Sequence, residues 1–124
     1  MILHADSEAF SSEAIVGSGT ATSGVIRATH GQPESVSWVV TQTGTPDVDI
    51  EYAYSNDGTT FSAFIAAFGA AGNTSGGKFT NSTGQTNSAF VAWVPAPFYQ
   101  VKLTNNDGVN TATCSVIVRQ IEDV

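Results

Sequence analysis

The feature that most constrains this chain is a two-residue rhythm of apolar and polar side chains. In the run 35–41, Val36, Trp38 and Val40 fall on one side, and Ser35, Ser37, Val39 and Thr41 on the other. In 47–54, Val48, Ile50, Tyr52 and Tyr54 alternate with Asp47, Asp49, Glu51 and Ala53. Tyr99, Val101 and Leu103 alternate with Gln100, Lys102 and Thr104, and Cys114, Val116 and Val118 with Ser115, Ile117 and Arg119. Successive side chains of an extended chain point to opposite faces, so each run is a strand with one face on a core. A helix, with 3.6 residues per turn, cannot sort these residues onto two sides.

Weaker strand signals occupy 14–17, 21–29 and 89–94. Between the strong runs stand Gly44-Thr-Pro-Asp47, Asn56-Asp-Gly58 and Asn106-Asp-Gly108, residues that accept a positive φ or preset a turn. Short strands divided by such turns, with no helical crossover between them, predict an all-β domain: an antiparallel β-sandwich or a jelly-roll-like barrel. The expected core is Val36, Trp38, Val40, Ile50, Tyr52, Val101, Leu103, Val116 and Val118. Phe61, Phe64, Ile65 and Phe68 fit either a short helix, at i, i+3, i+4 and i+7, or a strand. The Gly-, Ser-, Thr- and Asn-rich stretch 69–84 reads as a long loop. Residues 1–13 read as an N-terminal contact arm, because Ile2, Leu3 and Phe10 are strung between polar residues without a strand period. Residues 14–124 then form one β-sandwich domain.

Length and charge narrow the function. A chain of 124 residues is one domain and can bury a two-layer core. Only 12% of its residues are charged, and eleven carboxylates against four basic side chains give a net charge of −7. Such a chain repels phosphate backbones, so nucleic acid is not an expected partner. No apolar run approaches the length of a membrane span. The opening Met1-Ile-Leu-His-Ala-Asp6 lacks the basic start and apolar run of a signal peptide, so synthesis in a cytoplasm is expected. The lone Cys114 cannot form an intrachain disulfide and reads as a small buried hydrophobe. His4 and His30 stand at no metal-ligand spacing, and nucleophile elbows, phosphate-binding loops and zinc-protease motifs are all missing. No catalytic residue, cofactor or metal site is expected; the chain reads as a non-enzyme that works through contacts.

Two groups of residues are candidates for those contacts. Asp47, Asp49 and Glu51 share one strand face at a spacing of about 7 Å, wide for joint ligation of one calcium. They read as a solvated face that blocks edge pairing, as a contact for a basic partner, or as a cation site. Ile2, Leu3 and Phe10 of the arm are the apolar candidates. Trp38, Trp93, Tyr52, Tyr54, Phe98 and Tyr99 could stack on a sugar if exposed, but their strand positions read as core.

Two segments carry a resemblance. The run Ile50-Glu-Tyr-Ala-Tyr-Ser-Asn-Asp-Gly-Thr-Thr-Phe61 resembles a motif of small structural proteins of tailed bacteriophages. Those chains end in a strand pair similar to Pro97-Phe-Tyr-Gln-Val-Lys-Leu-Thr-Asn105 and Ala112-Thr-Cys-Ser-Val-Ile-Val118. What this implies is a β-sandwich component of the virion, made in the host cytoplasm: a capsid decoration (cement) protein, or a head or tail accessory. Its implied partner is the major capsid protein or another virion protein, and its implied state a homo-oligomer, with a trimer the first guess. The Ser-Asn-Asp-Gly-Thr-Thr-Phe portion is also similar to the strand-turn-strand of discoidin-like domains, which implies glycan binding as the alternative. This chain is short for that fold and lacks its paired cysteines.

Overall fold

A computed structural model of the chain describes residues 2–29, 34–43, 47–66, 78–80, 85–92 and 96–123. Ten strands succeed one another: β1 (Ile2–Ile15), β2 (Thr20–Thr22), β3 (Ile26–Arg27), β4 (Glu34–Gln42), β5 (Asp47–Ser55), β6 (Ile65–Ala66), β7 (Lys78–Thr80), β8 (Gln85–Ala92), β9 (Phe98–Asn105) and β10 (Ala112–Asp123). No helix occurs among the described residues. One sheet has four strands in the order β1-β10-β4-β8, and the other six in the order β2-β9-β5-β6, with β3 added to β9 and β7 to β5. The pairings are antiparallel. The architecture is the expected all-β sandwich.

The two apolar faces meet in one cluster. Val36, Trp38 and Val40 of β4, with Ala112, Cys114, Val116 and Val118 of β10, pack against Val48 and Ile50 of β5 and Tyr99, Val101 and Leu103 of β9. Each large side chain removed from water there contributes about 1.5–3 kcal/mol. Of the expected core, Tyr52 alone is only partly buried, packed against the edge of the cluster. Cys114 is a buried hydrophobe, and burial, with the Glu13 charge adding to it, pushes its thiol up to about 12.

The N-terminal segment departs from expectation. Residues 2–15 are not an arm but a strand paired with β10 from Ile2↔Asp123 to Ile15↔Ala112. Phe10 is buried in the core and offers nothing to a partner, while the side chains of Ile2 and Leu3 lie outside the described residues. The reason is two irregularities of register. Ala9 is an extra residue between Glu8↔Ile117 and Phe10↔Val116, and Ser11 and Ser12 together oppose Ser115. Ser12 takes a left-handed φ of 49° there, and its N–H donates to Ser115 Oγ at 2.9 Å. Each bulge shifts the inward parity, which turns Phe10 onto the core and erases the alternation.

The segment 61–68, which fits a strand or a short helix by pattern, is strand in part and not helical among its described residues. Residues 61–64 are irregular, Ile65–Ala66 is a two-residue strand on β5, and Phe68 lies outside the described residues. Most of 69–84 also lies outside them; Lys78–Thr80 pairs with β5.

Two Asp turns close the strand ends by the same device. After β5, Asp57 Oδ1 accepts from the N–H groups of Thr59 and Thr60, both at 2.8 Å, and Gly58 takes a φ of 77°. After β9, Asp107 Oδ1 accepts from Val109 and Asn110 at 2.8 and 2.9 Å. Beneath the second turn, the buried Asn105 amide donates to Ile15 O and Asn110 O and accepts from Gln42 Nε2 at 3.1 Å. This seals one end of the sandwich with satisfied polar groups.

Candidate functional site

The opposite end is polar but not sealed. Here β4 begins with Glu34, which continues the inward face of Val36, Trp38 and Val40 and is only 1% exposed. Its Oε1 accepts from the Tyr99 hydroxyl at 3.0 Å and from Gln120 Nε2 at 2.6 Å, whereas its buried Oε2 has no hydrogen-bond partner among the described residues. Burial first, and then the adjacent Glu34 carboxylate, hold the Tyr99 hydroxyl well above its ordinary value, so it remains a donor. An unsatisfied buried carboxylate oxygen carries a desolvation cost and calls for a reason.

In front of Glu34 lies a groove of about 310 Å³ between the edge of β1 and the segment that carries β3. Ser7, Glu8 and Ala9 form one wall, residues 24–27 the other, and Gln120 of β10 stands between them. Ser23 pins the second wall. Its N–H donates to Val101 O at 2.8 Å, and its hydroxyl accepts from Val101 N at 2.9 Å and donates to Gly24 O at 2.8 Å. That anchorage leaves Gly24 and the exposed Val25 projecting as a lip. Gln120 is held on both sides, since Nε2 donates to Arg27 O and to Glu34 Oε1, each at 2.6 Å. The Arg27 guanidinium lies 5.9 Å from the Phe98 ring centroid. A cleft of this size, with a mainly polar lining relieved by Ala9, Val25 and Ile26, is at the lower bound of small-ligand sites.

The acidic stripe is a separate feature of the six-stranded sheet. Glu51 stands in register with Lys102, and Asp49 with Lys78. Asp49 and Glu51 are half-buried, the buried Oδ1 of Asp49 has no hydrogen-bond partner among the described residues, and the side chain of Asp47 lies outside them. The Lys102 ammonium sits 5.1 Å from the centroid of the Phe64 ring. Among the described residues, no group of three or more His, Cys, Asp or Glu converges as a metal site would.

The aromatic residues divide. Trp38 and Tyr99 are core, Tyr52, Tyr54 and Phe98 are half-buried, and Trp93 lies outside the described residues. The structure brings none of the residues singled out in sequence into the groove, which rests on others: Ser7, Glu8, Arg27 and Gln120, with Glu34 behind Gln120. A signal for two of them was present. Glu34 extends the inward positions of β4 by one step, and Gln120 follows Val116 and Val118 on those of β10. A polar residue that continues an apolar strand face is a candidate for a buried or site-lining role.

No family model matches the chain, and no curated protein does. Among solved structures, it is similar to the carbohydrate-binding module CBM36 in complex with calcium and xylotriose. That likeness has 15% identity and a TM-score of 0.45, over 86% of this chain and 78% of that one.

Proposed function

We propose that this chain is a non-catalytic recognition domain that holds a hydroxyl-rich ligand, a glycan, in the groove between β1 and β3. The observation that carries the reading is the groove itself, lined by Ser7, Glu8 and the doubly anchored Gln120 and by the aliphatic Val25 and Ile26. Sugars present both kinds of surface: hydroxyls for carboxylate, amide and hydroxyl partners, and C–H faces for aliphatic side chains. Fixed polar groups in such a cleft give orientation, and the apolar wall gives contact area. Isothermal titration calorimetry against oligosaccharides tests it. Saturable binding by the wild type that Gln120→Ala weakens at least severalfold supports the reading. Binding that is unchanged in Gln120→Ala and in Val25→Asp contradicts it.

A second reading, the virion component implied by the phage resemblance, rests on a different surface. On the outer face of β4 and β10, Ser37, Thr41, Thr113 and Ile117 are exposed and Ser35, Val39 and Ser115 half-exposed. Among the described side chains of β4 and β10 on this face, Arg119 alone carries charge, with Glu8 of β1 in register beside Ile117. The cores of protein interfaces are depleted of charge, and on a chain of net charge −7 this face suits packing against a capsid subunit or another copy. Under this reading, Ile117→Glu abolishes association with particles and lowers the molecular mass measured by light scattering. Retention of both would rule it out.

A further inference from the structure

We infer that Asp107 and Gly108 form a site of spontaneous isoaspartate formation in the folded chain, and that Asp57 and Gly58, the same pair in the same kind of turn, are guarded against it. The two sites share most of their geometry. In each, the Asp Oδ1 accepts from the N–H groups two and three residues on, at 2.8 or 2.9 Å. Such a turn folds the carboxyl back over the intervening glycine nitrogen, the atom that can attack it. The same N–H groups hold both carboxyls below their ordinary value, which slows the reaction at both. The glycines differ. Gly58 is half-buried with a φ of 77°, a Cβ built on it would lie 3.6 Å from the Phe98 ring, and its N–H donates to Ser55 Oγ at 3.0 Å. Gly108 is exposed, and its N–H donates to no group among the described residues. A nitrogen held in a hydrogen bond must give that bond up before it can reach the carboxyl carbon, and a free one need not.

The reaction needs only water. Gly108 N bonds to Asp107 Cγ, and its proton leaves with the carboxyl hydroxyl as water, which gives a cyclic imide. Water then adds at the original main-chain carbonyl and breaks its bond to Gly108 N. The backbone now runs through Cβ and Cγ, one methylene longer, and the former main-chain carbonyl is a free carboxylate. The caps on Val109 and Asn110 are displaced, together with the Asp107 carbonyl that accepts from Ser18 N at 2.9 Å. The change therefore strikes the sealed end of the sandwich, not the groove.

The test ages the intact chain in buffer below its melting temperature, digests it with trypsin and scores the peptides for isoaspartate by enzymatic methylation. Cleavage after Arg27, Lys78, Lys102 and Arg119 places Asp57 in 28–78 and Asp107 in 103–119. Isoaspartate should accumulate in 103–119 about fivefold faster than in 28–78, the rate ratio equivalent to one hydrogen bond that must first be broken. In denaturant, where the Ser55 bond is gone, the two peptides should gain it at similar rates. Ser55→Ala should raise 28–78 to the rate of 103–119 in the folded chain; if that variant does not fold, the denaturant comparison decides. Asp107→Glu, whose longer side chain cannot close the same imide ring, should silence 103–119. Equal rates in the folded wild type, or a faster 28–78, would overturn the inference. So would a 103–119 that stays unmodified while the denatured chain reacts, or a ratio that persists in denaturant, because sequence rather than fold would then set it.

Discussion

At the scale of single residues, two glycines and one aspartate show how tightly the ends of the sandwich are specified. A Cβ on Gly17 would stand 2.7 Å from the carbonyl carbon of Gly108, so the β1–β2 and β9–β10 turns are in backbone contact and neither can give way. Gly17→Ala should destabilise by about 1–3 kcal/mol, the range for overpacking. Gly24, around which nothing lies within 4 Å of a built Cβ, should accept alanine within about 0.5 kcal/mol. Thermal melts of the two variants side by side check this, and equal losses would mean the turns do not touch. Asp57 is held down from 3.8 to about 2 by the N–H groups of Thr60 and Thr59 and then by the Ser55 hydroxyl. Because its folded value lies below its unfolded one, its contribution is complete above pH 3.8 and is lost as the pH falls towards about 2. Asp57→Asn should therefore flatten the fall of melting temperature across that window, and an unchanged slope would contradict the cap.

At the scale of elements, the strands that alternate cleanly were legible almost to the residue. β4, β9 and β10 each pack one face on the core and leave the other outward, and that asymmetry is what writes a period of two into a sequence; β5 does so only as far as Ile50, beyond which Ala53 and Ser55 of its other face are buried. β1 was not legible, because the extra residue at Ala9 and the Ser11–Ser12 bulge change the inward parity within one strand. β6 escaped because a two-residue strand carries no period at all. The groove was hidden for another reason: it is assembled from β1, the β3 segment and β10, whose residues meet only through topology. The correction to β1 has a measurable consequence. Deleting residues 1–13 would strip the pairing edge of β10 and remove Phe10 from the core, so the truncated chain should lose cooperative unfolding. Phe10→Ala alone should cost about 3–5 kcal/mol, as for a buried aromatic. A truncated chain with an intact melt would restore the contact arm.

At the scale of the whole molecule, the proposed reading places stability in the middle of the sandwich and recognition at one end. The middle is a single apolar cluster spanning both sheets, so Ile50→Ala should destabilise by about 2–5 kcal/mol without touching ligand affinity at temperatures where the variant stays folded. One end is closed by the satisfied Asn105, Gln42 and Asn110 network; at the other, behind Gln120, Glu34 has one oxygen without a hydrogen bond among the described residues. A fold need not leave a buried carboxylate half-satisfied, and sites of function are where such costs are tolerated. The most direct test is a backbone amide chemical-shift titration of the intact chain with an oligosaccharide. The account predicts saturable shifts confined to Ser7, Glu8, Gly24, Val25, Ile26 and Gln120, with the exposed face of Ser37 and Ile117 silent. Shifts that cluster on that face instead, or a spectrum unmoved at millimolar sugar, would contradict it.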